Sequence, residues 1–444
     1  MKTWDLVIVG GSAAGFQVAI SAKAQKRMKK ILVIRKEPKA VVPCGIPYIV
    51  GTLGSIEKNL LPDTLLGDTD LMIDEVTSID RKAKTISTAG GETIGYEKLV
   101  LATGSVPVIP KMPGVELDNV FAVWKDADYL ARLHNALEGG KNVIIIGGGF
   151  IGAEFADECQ KMGCNVTIVE LLEHCLLLNC SEEFCLKIED KLQEAGVRVR
   201  TGCRIQSIEG KGKVEYAVCD QGERMKADLV ILAIGVTPNV DLARRAGLPI
   251  GELGGIVVDQ YMITSDPDIL AIGDCAEKYS FFTGKPTALR LASTAAREAR
   301  IAAANLVRSR SQRNLGTIGV FATMIAGTAV GVAGLTESGA TQQGFDVVTG
   351  EAAAVDKHPG GMPGATDLRV KLLFDRSNGE ILGGQCCGGV STGEMANCMA
   401  TLIATKMTVN RVATLRVGTH PALTASPLTY QIVKAAEEAT LKLT

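Results

Sequence analysis

Residues 5–15 read D-L-V-I-V-G-G-S-A-A-G, a short apolar strand that ends directly in a glycine-rich turn. Residues 143–152 repeat the arrangement as V-I-I-I-G-G-G-F-I-G. Each turn is followed by a segment of helical pattern and then by a second apolar strand, Ile31–Ile34 in the first copy and Val166–Val169 in the second. One glycine-rich turn is a weak signal, but two in the same strand–turn–helix–strand context predict two βαβ units of about 30 residues each.

Both turns have the form that binds a nucleotide diphosphate. The first glycine permits the tight turn, the second lets the backbone approach the phosphates, and the third lets the helix pack against the strand. The N–H groups and the positive dipole end of the helix then hold the diphosphate. Ser12 replaces the middle glycine of the first copy, a position that tolerates a small side chain. The candidate diphosphate-binding residues are Gly10, Ser12, Ala13 and Gly15 in the first unit and Gly147, Gly149 and Gly152 in the second.

The residue that ends the second strand of each unit reports on the nucleotide. Glu170 follows Gly149 by about 20 residues, where a carboxylate accepts hydrogen bonds from the ribose diol of an adenosine. No arginine follows within several residues to bind a 2′-phosphate, so NADH is favoured over NADPH. In the first unit this position is Arg35, which departs from the pattern. Either Glu37 serves from the next turn or the ribose is held in another way.

The composition fits an α/β protein with several domains. The chain of 444 residues exceeds what one core usually supports, and 49 glycines with only 4% aromatic residues suit many tight strand-to-helix turns. A net charge of −2 without long charged blocks argues against nucleic acid or an anionic membrane as a partner. The N terminus shows no export signal, and the uncharged segment Ile318–Leu335, interrupted by four glycines, is predicted to be a buried strand–helix segment. We therefore expect a soluble, cytoplasmic protein.

Three further segments end predicted strands in a glycine turn. They are L-A-T-G-S (Leu101–Ser105), L-A-I-G-V-T-P-N (Leu232–Asn239) and T-S-D-P-D-I-L-A-I-G-D (Thr264–Asp274). The first two mark the places where the chain crosses between domains, and the third ends in an acid.

Together these motifs resemble those of the pyridine nucleotide–disulfide oxidoreductases along essentially the whole chain. The resemblance implies an α/β fold with two Rossmann-like dinucleotide-binding domains and a C-terminal α+β domain that forms a homodimer. It implies that FAD binds residues 1–112 and 240–316, that NADH binds residues 113–239, and that residues 317–444 form the dimer interface. The implied cofactor contacts include Asp274 on the ribitol chain, Ala295 in a helix that points its N terminus at the flavin, and the turn residues Ala102, Thr103, Gly104 and Gly235.

A glutamate follows the second glycine turn in G-A-E. This residue, Glu154, matches a family glutamate near the nicotinamide. The lysine that usually pairs with it beside the redox cysteines has no match in this sequence.

The redox centre is predicted from P-C-G-I-P-Y (Pro43–Tyr48). Glutathione-reductase-like members carry a second cysteine five residues after the first, but Ile49 stands there, so Cys44 is expected to act alone. Its position after Pro43 predicts a helix start, which favours the thiolate. The motif resembles that of coenzyme A disulfide reductases, NAD(P)H sulfur and persulfide reductases, and NADH oxidases and peroxidases. The oxidases and peroxidases carry a histidine in the first glycine loop; Ala13 matches it here and favours a sulfur substrate.

The acid–base group is predicted from T-H-P-A-L-T-A-S-P (Thr419–Pro427), which is similar to an H-P-T-x-x-E element whose histidine reaches across the dimer. His420 would be that histidine, although Ala425 replaces the glutamate that orients it. Imidazole is suited to moving this proton at neutral pH. For His358, in H-P-G-G-M-P-G, a loop residue without a role is favoured.

Most of the remaining thiols are expected to be reduced and buried, with a reactive minority whose role is left open, and no metal site is predicted. Cys175, Cys180 and Cys185 recur every five residues, a spacing that spreads them around a helix. Cys386 and Cys387 are expected in the core. The alternatives left open are an NADH oxidase or peroxidase and an NADH-linked flavoprotein that passes electrons to a protein partner. Whether the sulfur substrate is linked to coenzyme A is also open.

Overall fold

The computed structural model describes residues 1–308 and 310–443. The chain forms two compact units. Unit 1 consists of Met1–Lys111, Phe121–Glu138 and Ile234–Thr317, and unit 2 consists of Met112–Val120, Gly139–Ala233 and Ile318–Thr444. The predicted nucleotide domain 113–239 therefore contributes Phe121–Glu138 and its last residues to unit 1.

Unit 1 contains a mostly parallel sheet, and element labels follow chain order throughout. Its strands and helices are β1 (Lys2–Val9), α1 (Ala13–Ala24), β2 (Ile31–Arg35), β3 (Asp70–Ile73), β4 (Val76–Asp80), β5 (Thr85–Thr88), β6 (Thr93–Leu101), β7 (Ser105–Pro107), α2 (Ala127–Leu137), β16 (Val236–Pro238), α5 (Asp241–Arg245), β17 (Ile269–Ala271) and α6 (Ala292–Val307). The sheet order is β3-β2-β1-β6-β5-β4, and β17 also pairs with β6.

The centre of this sheet is strand β1, whose residues Leu6–Val9 are buried between β2 and β6. The pairing of β6 with β1 and β17 is parallel, so the carboxyl ends of all three strands meet at one edge. Gly10 and Ala102 directly follow β1 and β6, and Gly273 lies two residues after the end of β17. A parallel sheet places ligand-binding turns at this edge.

Unit 2 repeats the pattern and adds antiparallel sheets. Its strands and helices are β9 (Asn142–Ile146), α3 (Phe150–Lys161), β10 (Asn165–Val169), α4 (Glu182–Glu194), β11 (Arg198–Arg200), β12 (Ile205–Glu209), β13 (Tyr216–Cys219), β14 (Arg224–Lys226), β15 (Leu229–Leu232), β18 (Val320–Ile325), β19 (Thr328–Gly334), α7 (Glu337–Gln342), β20 (Val347–Val355), β21 (Asp367–Asp375), β22 (Ile381–Gly388), α8 (Thr392–Ala404), α9 (Val409–Ala413) and α10 (Gln431–Leu443). Strand β8 (Val120–Ala122) lies where the chain passes from one unit to the other.

The first sheet of unit 2 is the second βαβ unit. Its order is β11-β10-β9-β15-β8, with β9 paired in parallel to both β10 and β15. This reproduces the β2-β1-β6 arrangement of unit 1, as the repeated sequence predicts. A separate small sheet, β12-β13-β14, follows β11.

The C-terminal part of unit 2 is an antiparallel sheet of order β18-β19-β22-β21-β20 with helices packed on it. Helix α10 approaches β20 so closely that a Cβ on Gly350 would lie 1.8 Å from the carbonyl oxygen of Ala435. The strand–helix prediction for Ile318–Leu335 is wrong, because β18 and β19 form a hairpin. Ala326 and Gly327, with φ of 46° and 76°, make the two-residue turn with left-handed residues that joins antiparallel strands.

Across residues 1–308 and 310–443, none of the helices combines the length and the apolar character needed to span a bilayer.

Candidate active site

The first glycine turn requires glycine at two positions. Gly10 has φ of +114°, and a Cβ there would lie 2.1 Å from the carbonyl oxygen of Ala102. A Cβ on Gly15 would lie 1.8 Å from the carbonyl oxygen of Gly10. Helix α1 begins at Ala13, and its N-cap, Ser12, makes no side-chain capping bond, which leaves the first-turn N–H groups to an external acceptor. This arrangement fits a diphosphate.

Asp274 lies at the same edge of the sheet, just beyond β17. Its carboxylate accepts a hydrogen bond from the Ser105 hydroxyl at 2.7 Å and lies 3.2 Å from the ammonium of Lys125. Burial raises the pKa of this carboxyl, but the Lys125 charge and the hydrogen bonds from Ser105 and Lys125 outweigh it, so the net shift is downward. Asp274 is therefore an ionised acceptor in a fixed orientation.

A buried ion pair fixes the turn that carries Asp274. The ammonium of Lys278 lies 3.0 Å from Oε2 of Glu298, and the side chains are 3% and 0% exposed. Lys278 also donates to the carbonyl oxygens of Gly273 and Ala276. Oε2 of Glu298 accepts the Gly273 N–H at 2.9 Å. Both the N–H and the carbonyl of Gly273 are thus held by this pair.

Helices α1 and α6 close on this turn from both sides. A Cβ on Gly273, whose φ is +71°, would lie 3.1 Å from Cβ of Ala14 and 3.4 Å from Cβ of Ala295. Ala295 is buried in α6, and the N-cap of that helix, Leu291, makes no side-chain capping bond. The predicted helix after Leu291 is present.

The two predicted crossing segments pair with each other. Strand β7 pairs antiparallel with β16, and the hydroxyl of Thr103 donates to the carbonyl oxygen of Asn239 at 2.6 Å. Gly104 and Gly235 have φ of 71° and 101°, values that favour glycine.

Arg35 is fully engaged within unit 1. Its guanidinium makes two bonds to the Asp63 carboxylate, at 2.6 and 2.9 Å, and donates to the carbonyl oxygens of Glu37 and Pro38. A Cβ on Gly11 would lie 2.7 Å from Cδ of Arg35, so the aliphatic part of the side chain lies against the glycine turn.

The thiol of Cys44 is exposed, on a loop held by Asn59. The buried Asn59 amide donates to the carbonyl oxygen of Val42 at 3.0 Å, and the Val42 N–H donates to the Asn59 carbonyl oxygen at 2.9 Å. A Cβ on Gly45 would lie 1.9 Å from Oδ1 of Asn59, so only glycine fits after Cys44.

The helix start predicted at Cys44 is instead one 3₁₀ turn, Pro43–Gly45. An α-helix beginning there would need the N–H of residue 47 to reach the carbonyl oxygen of Pro43, but Pro47 has no N–H. Instead, the Ile46 N–H donates to the Pro43 carbonyl oxygen at 3.3 Å. The dipole of a long helix is therefore not available to this thiol.

The second glycine turn, in unit 2, has the same geometry as the first. Gly147 has φ of +106°, and a Cβ on Gly152 would lie 1.9 Å from its carbonyl oxygen. Open space surrounds Gly149, since a Cβ there meets no atom of the described chain within 4 Å. The Glu170 carboxylate accepts the N–H groups of Gly148 and Leu172 at 2.6 and 2.8 Å, which orients it at the end of β10.

Glu154 lies in α3 and bonds to the C-terminal sheet of the same unit. The hydroxyl of Thr323, on β18, donates to Oε1 of Glu154 at 2.7 Å. Burial, with a smaller contribution from the Glu158 carboxylate, raises the pKa of Glu154 to about 7, although the Thr323 bond lowers it. Nearby on the same elements, the rings of Phe150 and Phe321 stack with centroids 5.2 Å apart.

The His420 loop is held by a second histidine. Nδ1 of His358 bonds to the carbonyl oxygen of Thr424 at 2.9 Å, and the backbone N–H of His358 donates to the carbonyl oxygen of Pro421 at 3.1 Å. Nδ1 of the exposed His420 accepts the Ala422 N–H at 3.2 Å, so the neutral ring carries its proton on Nε2. His358, for which no role was favoured, thus orders the loop of His420.

Comparison with known proteins decides the family. Residues 4–299 match the pyridine nucleotide-disulphide oxidoreductase family, and residues 320–429 match the dimerisation domain of that family. The chain belongs to the pyridine nucleotide-disulphide oxidoreductase family. Its predicted fold class, its oxidoreductase activity and its use of FAD and a pyridine nucleotide are confirmed by this membership. The match of residues 320–429 supports the predicted homodimer.

Individual members of the family are similar over nearly the whole chain. The NAD(P)H coenzyme A polysulfide/persulfide reductase of Pyrococcus horikoshii is 33% identical over 408 residues, covering 90% of this chain and 91% of the relative. The NADH oxidase of Methanocaldococcus jannaschii is 31% identical over 451 residues, covering 98% and 99%. The solved NAD-dependent persulfide reductase of A. fulgidus has a TM-score of 0.91 at 29% identity, covering 98% of this chain and 83% of that one.

Of the eleven thiols other than Cys44, ten are buried and Cys398 is intermediate. Burial raises the pKa of Cys159, Cys175 and Cys386. Cys180 lies near Cys185 and the 386–387 pair, and burial raises its pKa too. The interpretation of these residues as packing thiols agrees with this burial.

Sequence reasoning missed the residues that hold the site residues in place. They are Ser105, Lys125, Lys278 and Glu298 around Asp274, Asn59 beneath Cys44, and Thr323 on Glu154. A lone polar residue far away in sequence carries no spacing signal. One local signal exists for the Lys278–Glu298 pair. The segment Glu-Lys-Tyr at residues 277–279 places a charged residue inside an apolar stretch, which indicates a buried ion pair.

Proposed function

We propose that this protein is an FAD-dependent NADH:disulfide or persulfide oxidoreductase that acts through the single cysteine Cys44. One observation supports it above the others: among the twelve cysteines, Cys44 is the exposed one, while ten are buried and Cys398 is intermediate. Thiol–disulfide exchange needs an accessible sulfur. The loop that carries Cys44 follows the first βαβ unit and is fixed by Asn59.

The residues of unit 1 fit FAD. The uncapped start of α1 would take the diphosphate, and the ionised Asp274 would accept a ribitol hydroxyl. The start of α6, near Ala295, would favour negative charge on the flavin ring. When bound, FAD relays two electrons from the nicotinamide nucleotide to sulfur. Arg35 contributes through its aliphatic stem against Gly11, because its guanidinium is engaged with Asp63.

The residues of unit 2 fit NADH. The uncapped start of α3 would take the diphosphate, and Glu170 would accept the ribose hydroxyls, which disfavours a 2′-phosphate. Glu154, whose pKa is raised to about 7, would present a protonated carboxyl to the nicotinamide side at neutral and lower pH.

The chemistry at sulfur follows from thiol–disulfide exchange. The Cys44 thiolate attacks one sulfur of the substrate R–S–S–R, forming Cys44–S–S–R and releasing RS⁻. Two electrons that originate from NADH then cleave this mixed disulfide, restoring the Cys44 thiolate and releasing the second RS⁻. Each RS⁻ takes one proton. Overall, NADH, one proton and R–S–S–R give NAD⁺ and two RSH.

His420 is the proposed proton donor to the leaving thiolate. Its Nδ1 is occupied by the Ala422 N–H, which leaves Nε2–H on an exposed ring to reach a substrate. We propose that it acts from the second copy in a homodimer. The bonds from His358 to the loop at Thr424 and Pro421 take the place of the missing orienting glutamate.

A sulfur substrate is supported by two findings. Relatives include a coenzyme A polysulfide/persulfide reductase and a persulfide reductase. Ala13 provides no acid–base group in the first glycine loop. Because a relative is also named NADH oxidase, oxygen is the alternative acceptor to test. A coenzyme A-linked substrate and a protein acceptor stay proposals.

The test compares Cys44→Ser with Cys398→Ser, a half-buried control thiol. NADH oxidation is measured anaerobically with coenzyme A disulfide, coenzyme A persulfide and polysulfide, and separately with oxygen. We expect Cys44→Ser to lose about a thousandfold or more of disulfide turnover, while NADH reduction of ferricyanide, which needs no thiol, is retained in both variants. Equal disulfide turnover in Cys44→Ser and wild type would contradict the proposal, as would oxygen turnover that exceeds turnover with every sulfur substrate.

A further inference from the structure

A group of soft metal ligands lies in unit 2 apart from the glycine turn. Sγ of Cys203, Sγ of Cys219 and a carboxylate oxygen of Asp220 all lie within 4.8 Å of one another. Among residues 1–308 and 310–443, these three residues bring their ligand atoms together at this spacing. Cys203 lies between β11 and β12, and Cys219 ends β13.

The backbone brings these residues together. Strands β12 and β13 are antiparallel, with Ile205 opposite Cys219, so Cys203 approaches Cys219 from two residues upstream. The Asp220 N–H donates to the carbonyl oxygen of Arg204 at 2.8 Å, which ties Asp220 to the connection that carries Cys203. A turn closed by the Gly222 N–H and the Cys219 carbonyl oxygen, at 2.9 Å, follows. The ligand set is therefore pre-organised.

The surroundings suit a cation that binds thiolates. The two cysteines are 4% and 1% exposed, whereas Asp220 is exposed and opens the group to solvent. The guanidinium of Arg200, on the neighbouring strand β11, is paired with Glu223, which limits its repulsion of a cation.

We propose that Cys203, Cys219 and Asp220 form a binding site for a thiophilic divalent cation of the zinc class. Binding releases the two thiol protons and gives two thiolates, one carboxylate and a fourth position for water. Magnesium and calcium do not fit, because they select oxygen ligands alone.

The position of the site gives occupancy a structural consequence. The Cys203 N–H donates to the carbonyl oxygen of Glu170 at 3.0 Å, and the Gly202 N–H donates to that of Leu172 at 2.8 Å. A bound cation therefore stabilises the strand end that carries Glu170. Because the cation binds preferentially to the native state, it also raises the thermal stability of the chain.

The experiment uses the full-length, FAD-loaded protein, reduced and stripped of metal, in a Cys44→Ser background that removes the exposed thiol. Zn²⁺ is titrated in competition with a chromogenic chelator, and Co²⁺ is the optical probe, since thiolate coordination gives it ligand-field bands beyond the flavin absorption. We expect each chain to bind one Zn²⁺ with high affinity and its melting temperature to rise. Asp220→Asn should weaken the Zn²⁺ affinity about tenfold or more, and Cys203→Ser should weaken it further.

Two control variants distinguish Zn²⁺ binding at this three-residue site from adventitious binding of Zn²⁺ to other thiols. Cys164→Ser, a buried thiol of the same unit outside the group, is expected to leave the Zn²⁺ affinity unchanged. Asp220→Asn alters an exposed side chain, so it reports even if Cys203→Ser fails to fold. Equal Zn²⁺ affinity in wild type and Asp220→Asn, the absence of thiolate–cobalt bands, or a Cys203–Cys219 disulfide in the freshly isolated protein would overturn the proposal.

Discussion

The Lys278→Met substitution tests whether the buried ion pair carries the stability of unit 1. In the wild type, the Lys278 ammonium lies 3.0 Å from the Glu298 carboxylate, with both side chains shielded from water. Methionine matches the apolar stem of lysine as far as Cε but lacks the ammonium, so it leaves the Glu298 charge without its partner. The Gly273 and Ala276 carbonyl oxygens lose a donor as well.

The expected magnitude follows from that geometry. Opposite unit charges at 3.0 Å interact by about 5 kcal/mol at an effective dielectric constant of about 20. Breaking one side of a buried pair typically costs about 3 to 5 kcal/mol, because the remaining charge stays desolvated. We therefore expect Lys278→Met to lower the free energy of unfolding by roughly 4 kcal/mol at neutral pH. Removing both charges, in Lys278→Met with Glu298→Gln, should restore stability to within about 1 kcal/mol of wild type.

The assay can be confined to unit 1. The two tryptophans of the chain, Trp4 and Trp124, both lie in this unit, so urea unfolding followed by tryptophan fluorescence reports on it. Burial raises the pKa of Glu298, opposed by Lys278. A carboxyl whose pKa is raised on folding contributes stability at low pH that is lost as pH rises through the folded pKa. The deficit of Lys278→Met should therefore shrink toward acid pH. A single variant that is as stable as wild type at neutral pH, or a double variant as unstable as the single one, would refute the reasoning.

Three further outcomes are expected. Glu154→Gln keeps an acceptor for Thr323. Because the pKa of Glu154 is raised to about 7 from 4.5, its stability contribution is lost as pH rises through about 7. The variant should therefore gain roughly 2.5 kcal/mol over wild type between pH 5 and pH 9, read from thermal melting across that range. His420→Gln should slow the reduction of aliphatic disulfides about a hundredfold. Reduction of aromatic disulfides should slow far less, because their acidic thiols leave without being protonated. An equal loss of stopped-flow turnover for both kinds of disulfide would exclude His420 as the acid. Gly45→Ala places a methyl group 1.9 Å from Oδ1 of Asn59. It should therefore change the rate at which Cys44 reacts with an aromatic disulfide reagent. If both this rate and the melting temperature are unchanged, the Cys44 loop is not fixed by this contact.

The sequence predicts the parts of this fold that depend on local pattern. The two βαβ units follow from short, continuously apolar strands that are buried on both faces and from glycines that no other residue can replace, as the contact of Gly15 with Gly10 shows. The Ile318–Leu335 hairpin cannot be predicted from its apolar run, which has neither a helical nor a strand period. The deciding feature is the left-handed turn at Ala326 and Gly327. Cys44 was found, but its 3₁₀ turn depends on the missing N–H of Pro47.

Contacts between distant residues could not be predicted from one sequence. Lys278 and Glu298 are separated by twenty residues, and Cys203 and Cys219 by sixteen, without any motif spacing. Only the pairing of β12 with β13 shows that the two thiols meet. Similarly, Thr323 reaches Glu154 from a part of the chain 169 residues away. These residues act through tertiary packing, which leaves no periodic signal.

The two nucleotide turns share one backbone geometry but end their second strands with opposite charges. In unit 2, loop N–H groups orient the Glu170 carboxylate, so its remaining lone pairs can accept ribose hydroxyls. In unit 1, Arg35 offers donors only, and Asp63 and two carbonyl oxygens already use them. A ribose in the first turn therefore cannot be held by the strand-end residue as in the second. The half-buried Glu37, whose carbonyl oxygen is tied to Arg35, is the nearest carboxylate in sequence that can replace it. Under the proposed cofactor assignment, the two turns therefore differ in the residue that would accept ribose hydroxyls. It is Glu170 at the strand end in unit 2 and Glu37, beyond the strand end, in unit 1.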